Sequence, residues 1–145
     1  MAITSAICNS FKQEVLQAIH NFTASSGNTF NIALYTSSAT LNKSTTAYST
    51  SNEISNTSGS AYSAKGKALT NVTPALSGDT ACCDFADISW TSASFTANGC
   101  LIYNYTNADR AVCEIAFGSD KTVTSGTFTI QFPTADASNA IIRIA

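Results

Sequence analysis

A chain of 145 residues, 44% of them hydrophobic, is long enough to fold as one domain around its own core without metal or disulfide staples. Lys, Arg, Asp and Glu together make only 11%, against a usual share of about a quarter, with Ser and Thr in their place, and the formal charge is -2. Such a weak field excludes long-range steering toward DNA, RNA or an anionic membrane, and leaves partners to be met by shape and hydrogen bonding.

The first element predicted is a helix. In SAICNSFKQEVLQAIHNF, Ile7, Phe11, Val15, Ala18 or Ile19, and Phe22 recur at three- and four-residue intervals, with Lys12, Gln13, Glu14 and Gln17 on the other side. Thr4 or Ser5 is the expected N-cap and Gly27 the expected stop. Residues 1–27 therefore read as an N-terminal helix and linker, packed on or extending from a domain formed by residues 28–145. His20, the only histidine, falls near the helix end, where a polar edge or a dipole contact accounts for it.

From residue 29 the period changes to two. TFNIALYTS places Phe30, Ile32 and Leu34 on one side and Asn31, Ala33 and Tyr35 on the other, which fits a strand whose second face is only partly buried. Residues 37–66 form a long Ser/Thr-rich excursion with short edge segments expected around Thr45 to Tyr48 and Ala61 to Ser63. It reads either as a wandering connection or as a contact element, since loops of this length are often functional.

The second half is dense in strands: KALTNVTPAL, TACCDFADISW, ASFTANGCLIYNY, RAVCEIAFG, GTFTIQFP and NAIIRIA, with turns expected at SGD, NAD, GSDK and TADAS. In NAIIRIA, Ile142 and Ile144 are expected to face the core, Ile141 and Arg143 to face outward, and the segment to pair with GTFTIQF. Short strands in such quick succession predict a mainly β fold, an antiparallel β-sandwich with one N-terminal amphipathic helix. The missing alternation of strands with long helices argues against a parallel nucleotide-binding fold.

Few residues suggest chemistry. The five cysteines, Cys8, Cys82, Cys83, Cys100 and Cys113, are odd in number, and Cys82 and Cys83 point to opposite faces of a strand, so reduced, buried thiols are expected. Spacing leaves open a four-cysteine metal site built from Cys8, Cys82, Cys100 and Cys113. Asp79, Asp84, Asp87, Asp109 and Asp120 mostly flank turns, and nothing selects a pair for glycoside hydrolysis. Neither a phosphate-binding glycine loop nor a serine-nucleophile elbow is present. Tyr35, Tyr48, Tyr62, Trp90, Tyr103 and Tyr105 offer either a platform for carbohydrate or peptide or, for Trp90 above all, core packing. Lys65 and Lys67 are the one close basic pair, too little to track phosphates. No catalytic, cofactor-binding or metal residue is assigned and no cofactor is expected. With neither a leader pattern nor an apolar run of about 18 residues, synthesis in the cytoplasm is expected, without membrane insertion.

The segments FNIALYTSSATL, KALTNVTPAL, FADISWTSASFTANGCLIYN, AVCEIAFGSDKTVTSGTFTIQFP and the ending AIIRIA resemble small structural proteins of tailed bacteriophages. The resemblance spans most of the chain and implies a non-enzymatic virion protein made in the host cytoplasm. Its implied role is a capsid decoration, or cement, protein that binds the major capsid protein or neighbouring virion subunits and self-associates in a symmetric assembly. A head-fibre, neck or tail component is the alternative within that class. A small carbohydrate-active enzyme is the alternative outside it.

Overall fold

In the computed structural model, which describes residues 2–145, two antiparallel sheets and one short helix, α1 (Asn9–Leu16), share a single apolar core. The larger sheet has the order β1 (Ala6–Ile7), β7 (Arg110–Ile130), β6 (Ile88–Asn104), β2 (Phe30–Tyr35), β3 (Lys67–Ala68). The smaller has the order β4 (Asn71–Ser77), β5 (Thr80–Phe85), β8 (Ile142–Ile144). The alternation of the second half thus yields the mainly β, sandwich-like arrangement it predicts.

Strand β2 shows how the layers stack. Its register pairs Phe30, Ile32 and Leu34 with Asn104, Ile102 and Cys100 of β6, so these six side chains share one face. That face meets the smaller sheet, where the Phe30 and Phe85 rings lie 5.8 Å apart. Asn31, Ala33 and Tyr35 share the other face with Tyr103, Leu101 and Gly99. This second face was expected to be partly open, yet all six residues of β2 are buried. The cover is the excursion itself. Tyr48 stacks on Tyr103 at 4.9 Å, the Tyr62 hydroxyl accepts the Leu34 N–H at 2.9 Å, and Leu41 and Ile54 join the core. A single bridge at Tyr35–Glu53 and the Ile54 N–H to Leu34 carbonyl bond continue the edge of β2 where β3 stops. The expected edge segment at Thr45–Tyr48 reduces to one bridge, Ala47 to Arg110, and Ala61–Ser63 pairs with no strand.

Two glycines permit this closeness. Gly66 has φ +74°, and a Cβ there would lie 1.8 Å from the Ile32 carbonyl oxygen, so only glycine lets the chain turn into β3 against β2. At Gly99 the missing side chain leaves room for Ile3, whose Cδ1 sits 2.7 Å from where a Cβ would be.

The helix is shorter than its apolar periodicity. Ala6 and Ile7 pair with Glu114 and Cys113 as an edge strand, the N-cap is Cys8 with no side-chain cap rather than Thr4 or Ser5, and the chain leaves the helix through Ala18 at φ 58°, well before Gly27. An isolated eight-residue helix is marginal, so sheet hydrogen bonds at one end outcompete its extension. Phe11 is buried as expected of the stripe, Val15 is partly buried and Leu16 is 88% exposed. Phe22 lies outside the helix and still packs, its ring parallel to Phe30 at 4.3 Å.

Strand boundaries differ where the chain changes sheet. KALTNVTPAL divides into β3 and β4, and TACCDFADISW into β5 and the start of β6, each pair split between the two sheets. Conversely, RAVCEIAFG and the first five residues of GTFTIQFP belong to one strand, β7, which ends at Ile130. The expected turn at GSDK is a wide bulge: the register passes from Ala97–Lys121 to Gly99–Ala116, so Phe117, Gly118, Ser119 and Asp120 stand opposite Asn98 alone. Asn98 donates to Asp120 across it at 2.8 Å. The terminal strand β8 pairs with β5, through Ala81–Ile144, Cys82–Arg143 and Cys83–Ile142, instead of with GTFTIQF. Ile142 is buried and Arg143 is exposed as expected, but Ile144 is 57% exposed and Ile141 packs partly against the core. Three residues on a sheet edge run past the core before Ile144 can enter it.

Candidate functional site

The β6–β7 ribbon provides an apolar concave surface. Pairing of Ile88 with Ile130 and Trp90 with Phe128 gathers apolar side chains on one face, while Ser89 and Thr129 between them exchange a hydroxyl bond of 2.7 Å on the other. Phe128 contacts Trp90 at 6.1 Å, Phe95 at 5.0 Å and Phe117 at 6.2 Å, which stiffens the ribbon beyond the bulge. Strand β1 covers the outer edge of β7 only at Cys113 and Glu114. From Ile115 to Ile130, β6 is the one strand that pairs with β7 among the described residues. Beside this open edge lies a groove of about 570 Å³ whose walls are Ile115, Phe117, Phe128, Ile130, Phe132 and Ile141, with Lys121, Thr129 and Gln131 as polar members.

The tyrosines proposed as a platform are used differently. Tyr35, Tyr62, Trp90 and Tyr103 are buried, and only Tyr105, at 49%, is well exposed. Glu53, the sole carboxylate in residues 37–66, accepts the hydroxyls of Tyr48 at 2.5 Å and Tyr62 at 2.6 Å and the Lys65 N–H at 2.8 Å. Burial first, then the adjacent carboxylate, raises both phenols above their ordinary range and keeps them as donors. Tyr103 donates to the Lys65 carbonyl at 2.6 Å and Tyr35 to that of Ser49 at 2.7 Å. These bonds pin the excursion to the sheet. Glu53 was not picked out from the sequence, although a lone acid in a long stretch with only two other charges, Lys43 and Lys65, was a usable signal.

His20 is likewise structural. Its side chain is fully buried, its Nε2 lies 2.7 Å from Glu14 Oε2, and Asn104 Nδ2 donates to Nδ1 at 3.0 Å, which places the ring proton on Nε2. Arg110 closes the network on the other Glu14 oxygen at 2.9 Å. The remaining candidates are dispersed. Asp84 and Asp87 accept backbone N–H groups of Phe85 and Phe132, Asp109 pairs with Lys65, and Asp120 bonds Asn98. Lys67 donates to the Ser89 carbonyl, so the basic pair forms no common surface with Lys65.

All five cysteines are unpaired and buried, and no cluster of three or more His, Cys, Asp or Glu arranged for a metal occurs among the described residues. Burial pushes the Cys83 and Cys100 thiols up to about 12, which suppresses the reactive thiolate. Alkylation in urea without reductant is expected to modify five thiols by intact mass, whereas the folded protein at neutral pH should react far more slowly. Fewer than five in urea would show an oxidised pair.

No helix among the described residues is long and apolar enough to cross a membrane. Comparison with protein-family models, curated proteins and solved structures finds no match.

Proposed function

We propose that this chain is a non-enzymatic assembly protein of a bacteriophage particle, with capsid decoration as its leading role and a head-fibre, neck or tail position as the alternative. The observation that carries the reading is the apolar groove lying beside the open edge of β7, with Lys121 as its one charged member, in a chain poor in charge overall. Interface cores are depleted of charge and rich in aromatics, and an open edge accepts an added strand. The sequence resemblance to small phage structural proteins supports the same class. So does the use of the polar residues: Glu14, Glu53 and His20 are bonded within the fold, and none of them lines this groove.

The test is sedimentation with capsids lacking the protein, alongside isolated necks and tails. Wild-type protein should co-sediment with shells, and Ile130→Asp should reduce attachment at least tenfold while leaving the thermal midpoint within a few degrees, because Ile130 is only partly buried. Attachment to necks or tails alone would move the protein to that position. Binding to none of the three would defeat the assembly reading.

A further inference from the structure

We propose that residues 2–8 are a pH-sensitive strap, released from β7 when the buried Glu114 carboxyl beneath them ionises. The strap is held by few bonds. Ala6 and Ile7 pair with Glu114 and Cys113, the Cys8 N–H reaches the Val112 carbonyl at 3.0 Å, and Ser5 Oγ accepts the Ala116 N–H at 2.9 Å. On its other side, the Thr4 N–H reaches the Leu41 carbonyl at 2.9 Å, and Ile3 fills the space above Gly99. Glu114 shares the face of Leu101, its partner on β6, and is 1% exposed. Its Oε2 accepts the Cys8 thiol at 3.0 Å, and its Oε1 has no hydrogen-bond partner among the described residues.

Among the described residues, no cation faces this carboxyl within ion-pair distance. The titratable groups coupled to it are Cys8 of the strap, Cys100 of β6 and Cys113 of β7; Glu14 of α1 acts on Cys8 and is already engaged by His20 and Arg110. Lys43, on the excursion, is exposed and meets this region through its carbonyl, which accepts the Asn9 N–H. Burial raises the Glu114 carboxyl from 4.5 to about 7, and the Cys8 hydrogen bond opposes it. A folded value above the unfolded one means that the closed strap binds the proton more tightly than the open one. Its stabilisation is therefore complete below about 4.5 and is lost as pH rises through about 7. Opening frees the backbone of Val112 to Ala116, directly adjoining the edge that already lacks a partner from Ile115 onward. Alkaline pH would thus lengthen the surface available for strand addition.

Amide hydrogen exchange at pH 5.5, 7.0 and 8.5, corrected for intrinsic rates, tests the strap. For residues 3–8 and the strap-facing amides of Val112, Glu114 and Ala116 of the wild type, protection should fall about thirtyfold from pH 5.5 to 8.5, the change that these two values imply for an opening equilibrium. Protection of Ile32 to Tyr35 in β2 should hold. Glu114→Gln, neutral throughout, should show no such fall. Flat wild-type protection, an equal fall in the variant, or a fall shared by β2 would each overturn the proposal. A carboxyl ¹³C titration of the wild type is independent of how the variant folds: a Glu114 midpoint near 7 supports the strap and one below 5 defeats it.

Discussion

Glu53→Ala is expected to lower unfolding free energy by about 3 kcal/mol, because a single truncation leaves three donors without their acceptor, each costing about 1–3 kcal/mol when buried and less when water can reach it. The three differ in exposure. Tyr62 is buried, Tyr48 is partly buried and Lys65 is exposed, so most of the loss falls on the two hydroxyls. Tyr62 also links the network to the sheet through the Leu34 N–H, and freeing its ring loosens its contacts with Trp90 at 6.3 Å and Phe95 at 6.1 Å. Limited proteolysis should therefore cut within residues 37–66 of the variant under conditions that spare the wild type. Glu53→Gln keeps one acceptor and the shape of the side chain, and should cost roughly half as much. Urea unfolding measures both. If Glu53→Ala matched the wild type in stability and protease resistance, the excursion would be held by Leu41, Ile54 and the Tyr35 and Tyr103 hydroxyl bonds without the carboxylate, and the proposed role of Glu53 would be wrong.

Phe30→Ala should have the largest effect of any single core truncation considered, about 3–5 kcal/mol. Phe30 is 0% exposed and lies where three parts of the molecule meet: β2, the smaller sheet through Phe85, and residues 18–28 through the stacked ring of Phe22. Removing it opens a cavity that none of these backbones can close by itself. Each is held independently, β2 by its ladder to β6 and residues 18–28 by Asn28 bonds to Asn104 and Asn21. Phe22→Ala, at a partly buried position, should cost visibly less. Equal urea midpoints for the two variants would contradict the placement of Phe30 at the junction. A loss below about 1 kcal/mol for Phe30→Ala would mean that the two sheets pack without it.

The two variants probe features of different legibility. Phe30 was readable as a core residue because its strand alternates cleanly, and alternation is a property of a few neighbouring residues. The contribution of Glu53 was not readable, since Tyr48, Tyr62 and Lys65 are brought to it by the path of the excursion, and hydroxyl-to-carboxylate pairs leave no periodic trace. The groove at Phe117, Phe128, Ile130, Phe132 and Ile141 lies between these cases. Its residues were recognisable as strand faces, but joining AFG to GTFTIQF required the bulge opposite Asn98, where Gly-Ser-Asp-Lys looks like a turn in any local reading.

What the sequence determined by itself is the class of the fold and several of its inward residues: Phe30, Ile32 and Leu34 of β2, Trp90 of β6, and Cys113 of β7 are all buried. Low charge, too, is a matter of composition alone, and so is the weakness of any electrostatic steering. Tertiary structure alone decided that β8 pairs with β5, that Ala6 and Ile7 leave the helix for the edge of β7, and that residues 37–66 cover the second face of β2. The reason is that a side chain's direction follows from its own backbone, whereas a backbone hydrogen bond takes whichever partner the whole chain brings within reach. Ala6 and Glu114 are adjacent only because the β6–β7 hairpin has already placed that edge beside α1.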